Sequence, residues 1–236
     1  MREHLIDSLS VFFPAYNEER NLKETVEMAI KVVKNIAVNW EVIIVNDGSN
    51  DKTKDIAQEL KNEEGRIKIV THKKNKGYGE ALKSGFYNSK YAWIATTDAD
   101  GQFDFSEIIK LIDKAKKGYD VVIGFRINRQ DSLIRKINGL GWTWLSNLLL
   151  GINVHDVDCS FKLVKKEVID KISHLESTRG GMISPELLAK AKKSGFKIAE
   201  VGVHHYPRIH GSQTGANINV IIKSFVDLIK LWQKLK

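Results

Sequence analysis

Short β-rich runs alternate with longer helical patterns along almost the whole chain, and that alternation leaves few folds open. The runs that read as strands are Leu9 to Phe13, Glu41 to Asn46, Ile67 to Thr71, Ala92 to Thr97, Asp120 to Gly124, Phe161 to Val164 and Lys197 to Val203. Between them apolar residues recur with the helical period. Leu22, Val26, Ala29, Ile30, Val33 and Ile36 form one stripe of a segment from Glu18 to Val38, with charges opposite. Segments 52–62, 78–89, 106–117, 165–172 and 185–194 read similarly, and Pro185 behind Ser184 suits the first position of a helix behind its N-cap. The pattern predicts an α/β fold, a mostly parallel central sheet with helices on both faces.

No repeat, low-complexity tract or Pro/Gly/Ser linker marks a boundary, so the 236 residues read as one domain. A lone Cys159 excludes an intramolecular disulfide framework and a multi-cysteine zinc site, which favours a reducing compartment. The start is too short in apolar residues for a secretory signal, and no run approaches the roughly 18 to 20 apolar residues of a spanning helix. The expectation is a protein that is soluble or lies on a surface. A formal charge of +8 asks for an anionic partner: nucleic acid, anionic lipid or a phosphorylated small molecule.

Parallel α/β sheets gather ligands at the carboxyl ends of their strands. Pro14-Ala15-Tyr16-Asn17-Glu18, Asn46-Asp47-Gly48-Ser49, His72 to Gly77 and Asp98-Ala99-Asp100-Gly101-Gln102 follow the first four strands, and together describe one lip of one sheet. Asp98 and Asp100 stand two apart after an apolar run, so both carboxylates can face one point. Two hard oxygen ligands suit Mg²⁺ or Mn²⁺, with water and diphosphate oxygens completing the shell and the Gln102 amide as a further ligand. A second pair of this kind, Asp156-Val157-Asp158, follows a helix and a glycine-containing loop instead of a strand. Asp47, at a strand end, is an acceptor for a base or ribose, or else part of a turn. Lys76-Gly77-Tyr78-Gly79 lacks both P-loop and dinucleotide-fold spacing and reads equally as a turn or a phosphate contact.

PAYNE at 14–18, NDGSNDKT at 46–53, the N-x-G-x-G-x-A-x-x-x-G spacing over 75–85 and DADGQ at 98–102 resemble, in this order, the family-2 glycosyltransferases with the GT-A fold. DVDCSFKL at 156–163 and HHYPRIHGSQTG at 204–215 are similar to the branch that makes dolichyl- or undecaprenyl-phosphate mannose and glucose. The resemblance spans about 8–215. It implies a single GT-A domain with a nucleotide-sugar-binding half at about 8–125, an acceptor half at about 126–215 and an amphipathic C-terminal helix over 216–236.

It further implies that Pro14, Ala15, Tyr16, Glu18 and Asp47 hold the donor nucleoside. Asp98 would lie near ribose, metal and reacting sugar, with Asp100 and Gln102 on the metal. Arg126, Arg135 and Arg208 match arginines that grip donor or acceptor phosphates, a task suited to a planar guanidinium. Where many relatives read R-x-x-G-x-S-K, this chain has Arg208-Ile209-His210-Gly211-Ser212-Gln213, which leaves Ser212, Gln213 and His210 as the phosphate ligands there. The implied reaction is inverting, metal-dependent transfer of a hexose from a UDP- or GDP-sugar to a polyprenyl phosphate. A phosphate acceptor is already anionic and needs no strong base, whereas a hydroxyl acceptor needs a carboxylate, for which Asp156 and Glu186 are the candidates.

Two amphipathic segments bear on the acceptor. Arg135-Lys136 with Leu140, Trp142, Trp144, Leu145 and Leu148 to Leu150, and the stripe Ile218, Ile221, Ile222, Phe225, Leu228, Ile229 and Trp232, suit a bilayer interface, packing on the sheet or a dimer contact. The expected location is the cytoplasm, peripheral on the cytoplasmic face of a membrane. The alternatives are a glycan or other hydroxyl acceptor on the same fold, and a non-catalytic basic module binding nucleic acid or membrane. Asp47, Asp98 and Asp100 on one edge would repel a nucleic acid, and no base-stacking signature such as that of an RRM is present.

Overall fold

The structure, a computed structural model, describes residues 4–127, 133–178, 180–211 and 218–235. The elements run β1 (Ile6–Ala15), α1 (Leu22–Ile36), β2 (Ala37–Asn46), α2 (Thr53–Glu63), β3 (Ile67–Thr71), α3 (Tyr78–Asn88) and β4 (Trp93–Thr96). A 3₁₀ turn (Phe105–Glu107) leads into α4 (Ile108–Lys116), and then follow β5 (Val121–Ile127), α5 (Leu133–Leu150), β6 (Lys162–Lys165), α6 (Lys166–Lys171), α7 (Gly180–Lys193), β7 (Ile198–His204) and α8 (Ile218–Leu235). Each of the seven expected strands is present.

They form one sheet in the order β3-β2-β1-β4-β6-β5-β7. β6 pairs antiparallel with both β4 and β5, and the remaining pairs are parallel. The carboxyl ends of β1 to β5 and β7 therefore share one edge, and because β6 runs the other way its entry loop, 156–161, arrives at that same edge.

Both faces of the sheet are covered. The stripe expected on α1 is the stripe found: Leu22, Val26, Ala29, Ile30, Val33 and Ile36 are all buried, packed on Leu9, Val11 and Phe13 of β1 together with α4 residues Ile108, Leu111 and Ile112. On the other face Phe12, Ile43, Ile94, Ile123 and Val164 meet Leu82 and Phe86 of α3 and Ile183, Leu187 and Leu188 of α7. A smaller cluster of Met182, Leu228 and Leu231, flanked by Trp142, Leu145 and Leu149, joins α5, α7 and α8.

Two local expectations change. No loop separates α1 from β2, since Ala37 ends one and begins the other. Pro185 is not the first residue of α7 but lies inside it, because buried Met182 and Ile183 start the helix a turn earlier. A proline there removes the bond to the carbonyl of Gly181, a cost of roughly 3 kcal/mol that packing of the helix must offset.

Candidate active site

The turns after β1 and β2 are laced together. Asp47 N–H donates to the Ala15 carbonyl at 2.9 Å, Asn17 N–H to Ser49 Oγ at 3.0 Å, Asn50 N–H to Asn17 Oδ1 at 2.9 Å and Glu18 N–H to Thr53 Oγ1 at 2.8 Å. Pro14, Ala15 and Tyr16 thus pass beside Asn46 and Asp47 at the lip, with the Tyr16 ring exposed. Asp47 is 2% exposed and occupied: its carboxylate accepts the N–H groups of Lys76 and Gly77, each at 2.9 Å, and meets His72 Nδ1 at 2.5 Å. His72 Nε2 in turn lies 2.8 Å from Ser84 Oγ. The side chain therefore anchors the loop after β3 to the end of β2, and a nucleoside there would meet the loop that Asp47 shapes.

Asp98 and Asp100 stand at the end of β4. Tyr78, the first residue of α3, donates its hydroxyl to Asp98 Oδ1 at 2.6 Å. Burial and the neighbouring Asp98 charge push the phenol well above its usual range. Asp100 is 9% exposed, and burial followed by the Asp98 charge pushes its carboxyl up to about 7, against the pull of Gln102 N–H and Arg208. Arg208 Nη1 lies 3.7 Å from Asp100 Oδ2, while Nη2 pairs with Glu18 and Nε donates to the His210 carbonyl at 2.8 Å. Gln102 and Tyr206 pair through their backbones, and Gln102 Nε2 donates to the Tyr206 carbonyl at 2.9 Å. Glu18, Asp98, Asp100, Gln102 and Arg208 thus meet across three distant stretches of chain.

Two carboxylates held together at a lip, Asp100 buried and Asp98 half-buried, fit a hard divalent cation. Among the described residues no three His, Cys, Asp or Glu converge to hold a metal. A cation bound here would take Asp98 and Asp100 as protein ligands and draw the rest of its shell from a ligand's phosphates and from water, as Mg²⁺ does.

Other expected site residues are engaged elsewhere. Asp156 accepts both Nε and Nη2 of Arg126, at 2.7 and 2.8 Å, and the Arg126 backbone N–H at 3.2 Å. Burial alone would lower the Arg126 pKa, and the Asp156 pair raises it instead. Glu186, 1% exposed, accepts the N–H groups of Glu176 and Ser177 at 2.9 and 2.8 Å and pairs with Lys190 at 2.6 Å. Burial would raise its carboxyl, but Lys190 and those donors hold it below the usual carboxylate range. As placed, neither carboxylate is an open base: one balances an arginine and the other braces the 174–178 loop. The backbone of Arg135 belongs to α5, its side chain lies outside the described residues, and so do Ser212 and Gln213.

Two residues at the site were not anticipated. Tyr78 carried no signal beyond its place between two glycines. Lys162, 2% exposed, enters β6 with its ammonium donating to the Cys159 carbonyl, and burial lowers its pKa. A lysine inside the strand run Phe161 to Val164 was the cue for it.

The chain matches the model of glycosyl transferase family 2 over residues 10–173. It is 30% identical, over 217 residues, to the undecaprenyl-phosphate 4-deoxy-4-formamido-L-arabinose transferase of Pectobacterium carotovorum subsp. carotovorum, covering 92% of this chain and 65% of that protein. It is 31% identical to a dolichyl-phosphate beta-glucosyltransferase of Trichomonas vaginalis, covering 94% of this chain and 72% of that protein. The chain thus spans about two thirds of the length of such relatives. Its fold is similar to glucosyl-3-phosphoglycerate synthase of Mycobacterium tuberculosis, solved with Mn²⁺, uridine diphosphate and phosphoglyceric acid, with a TM-score of 0.73 at 17% identity over 97% of this chain and 78% of that one. The family match covers more than half of the chain and runs through the strand-end turns that build the lip, so the chain belongs to glycosyl transferase family 2.

Proposed function

We propose that the protein transfers a hexose from a UDP- or GDP-sugar to a polyprenyl phosphate, with inversion at the anomeric carbon. The observation that carries this reading is the convergence of Asp98, Asp100, Glu18 and Arg208 at one lip beside the laced turns of β1 and β2. Residues about 8–125 would hold the donor, with the nucleoside against 14–18 and the loop that Asp47 anchors. Residues about 126–215 would bring the acceptor. Asp98 and Asp100, with the Gln102 amide, would hold Mg²⁺ or Mn²⁺, which when bound neutralises charge on the departing diphosphate. Arg208 can exchange its carboxylate partners for phosphate oxygens, and Arg126 keeps a guanidinium edge beyond the one Asp156 occupies.

A phosphate acceptor is favoured over a hydroxyl because both candidate bases are already engaged, Asp156 with Arg126 and Glu186 with Lys190. An acceptor that arrives ionised needs neither. The named relatives, which use undecaprenyl or dolichyl phosphate, support the same choice. Contact with a lipid surface has a structural basis: Ile137, Leu140, Trp144 and Leu148 follow one face of α5 and are each more than half exposed, with Val226 and Ile229 of α8 also open. No helix among the described residues is long and apolar enough to cross a membrane, so this face would lie on the bilayer rather than in it.

The test is a thermal-shift panel of UDP- and GDP-sugars with and without Mn²⁺, followed by transfer assays. A donor at a hundredfold its Kd should stabilise by roughly 2.7 kcal/mol. Label passing from the stabilising donor to polyprenyl phosphate is the expected result. Donor hydrolysis or transfer only to a soluble glycan would refute the lipid acceptor, and no stabilisation by any donor would refute the donor site.

A further inference from the structure

We infer that Tyr78 is a positioning residue for Asp98, fixing the carboxylate by one oxygen so that the other is presented to the donor and its cation. The inference rests on the donor reading above and adds a residue to it.

Tyr78 is clamped on both sides. Before it, Gly77 adopts φ +96° and gives its N–H to Asp47 at 2.9 Å. After it, Gly79 gives its N–H to the Thr178 carbonyl at 3.1 Å and packs so closely that a Cβ at 79 would stand 2.6 Å from the Thr178 carbonyl carbon and oxygen. The ring faces Gly180, where an added Cβ would come 3.3 Å from the Tyr78 Cβ and Cδ1 atoms. The tripeptide 77–79 thereby bridges the carboxylates at the ends of β2 and β4: Asp47 takes a backbone N–H from it and Asp98 takes the phenol. Among the described residues Tyr78 supplies the hydrogen bond to Asp98, at 2.6 Å to Oδ1, and Oδ2 receives none.

This geometry has a cause on the acceptor side of the molecule. The 174–178 loop that meets Gly79 is itself held by Glu186, which accepts the N–H groups of Glu176 and Ser177, and by Lys190, which donates to the His174 carbonyl at 2.6 Å. The buried Glu186–Lys190 pair thus reaches Asp98 through the loop, Gly79 and the phenol. A freely rotating carboxylate would lose orientation entropy each time it engaged the donor, and a hydrogen bond already in place removes that cost before binding.

The test is a double-mutant cycle between Tyr78→Phe and Asp98→Ala, read as the Kd of UDP and of GDP by calorimetry, with Mn²⁺ and with EDTA. Phenylalanine keeps the ring against Gly180, so the melting temperature reports whether packing has survived. With Mn²⁺, Tyr78→Phe should weaken binding by roughly two- to tenfold, the cost of ordering one side chain at the moment of binding. With EDTA the two proteins should bind alike. In the Asp98→Ala background the second substitution should add almost nothing, because the acceptor of the phenol is already gone. Unchanged affinity in Tyr78→Phe, or additive losses across the cycle, would overturn the role of Tyr78 while leaving the donor site standing. Failure of the wild-type protein to bind either nucleotide with Mn²⁺ would overturn the donor reading and this inference with it.

Discussion

Asp100 would combine, on the proposed function, the requirements of folding and of cation binding in one side chain. Its folded-state pKa of about 7 lies above the ordinary 3.8, so between those values the folded protein holds a proton that the unfolded chain does not. Stability from this group is present at low pH and is lost as pH rises towards neutrality. Asp100→Asn should therefore gain in melting temperature relative to wild type on going from about pH 5 to about pH 8 without metal, and a difference that does not change with pH would refute the assignment. Because Mn²⁺ competes with that proton, its stabilisation of the wild type should grow over the same range. The acidic pair was legible because residues two apart on an extended segment share a side. The partners were not: Arg208 reaches Asp100 over more than a hundred residues, Tyr78 comes from the start of a helix, and Asp47 faces the loop after β3. Periodicity reports which residues are buried, not which distant polar groups they meet.

At the scale of elements, every strand was legible because the sheet is covered on both faces and its strands read as short apolar runs bounded by turns. Their direction was not, since alternation is the same read either way. The reversal of β6 brings Asp156 to the same sheet edge as the strand-end turns, although it does not follow a parallel strand, and so into its pair with Arg126. The start of α7 was misplaced for a related reason: proline at a helix start is a preference, and burial of Met182 and Ile183 outweighed it. The glycine spacing over 75–85, of which 76–79 reads equally as turn or phosphate contact in the sequence, has a packing role at its last member. A Cβ at Gly85 would stand 2.2 Å from the Phe12 ring, so α3 lies as close to β1 as it does only because that position is bare. Gly85→Ala should destabilise by about 1–3 kcal/mol in denaturant titrations, and Phe12→Leu in the same chain should recover part of the loss. Additive losses would show that the two positions do not share that space.

For the whole molecule, the +8 charge and the acidic lip divide the surface by task. Carboxylates gather where a cation and diphosphate would sit, while α5 and α8 present an apolar face with Lys230 and Lys234 exposed nearby. If that face meets lipid, binding to vesicles containing anionic phospholipid should weaken severalfold in Trp144→Glu and fall as salt is raised, with the fold intact by circular dichroism. Binding unchanged by the substitution would point to another surface, and a concentration-dependent dimer lost in the variant would point to a second copy as the occupant.

The place of β6 between β4 and β5 also governs the order in which the chain can be assembled. β5 pairs only with β6 and β7 within the described sheet, and β4 has its second neighbour only when residues 162–165 arrive. A nascent chain that has emerged as far as Ile127 carries the strand-end turns of β1 to β4, yet β4 still has an open edge and β5 has neither of its sheet neighbours to join. The stretches before and after Ile127 are therefore not separable units: the later one supplies the strand that covers the open edge of β4, and a fragment cut between them would expose a sticky sheet edge.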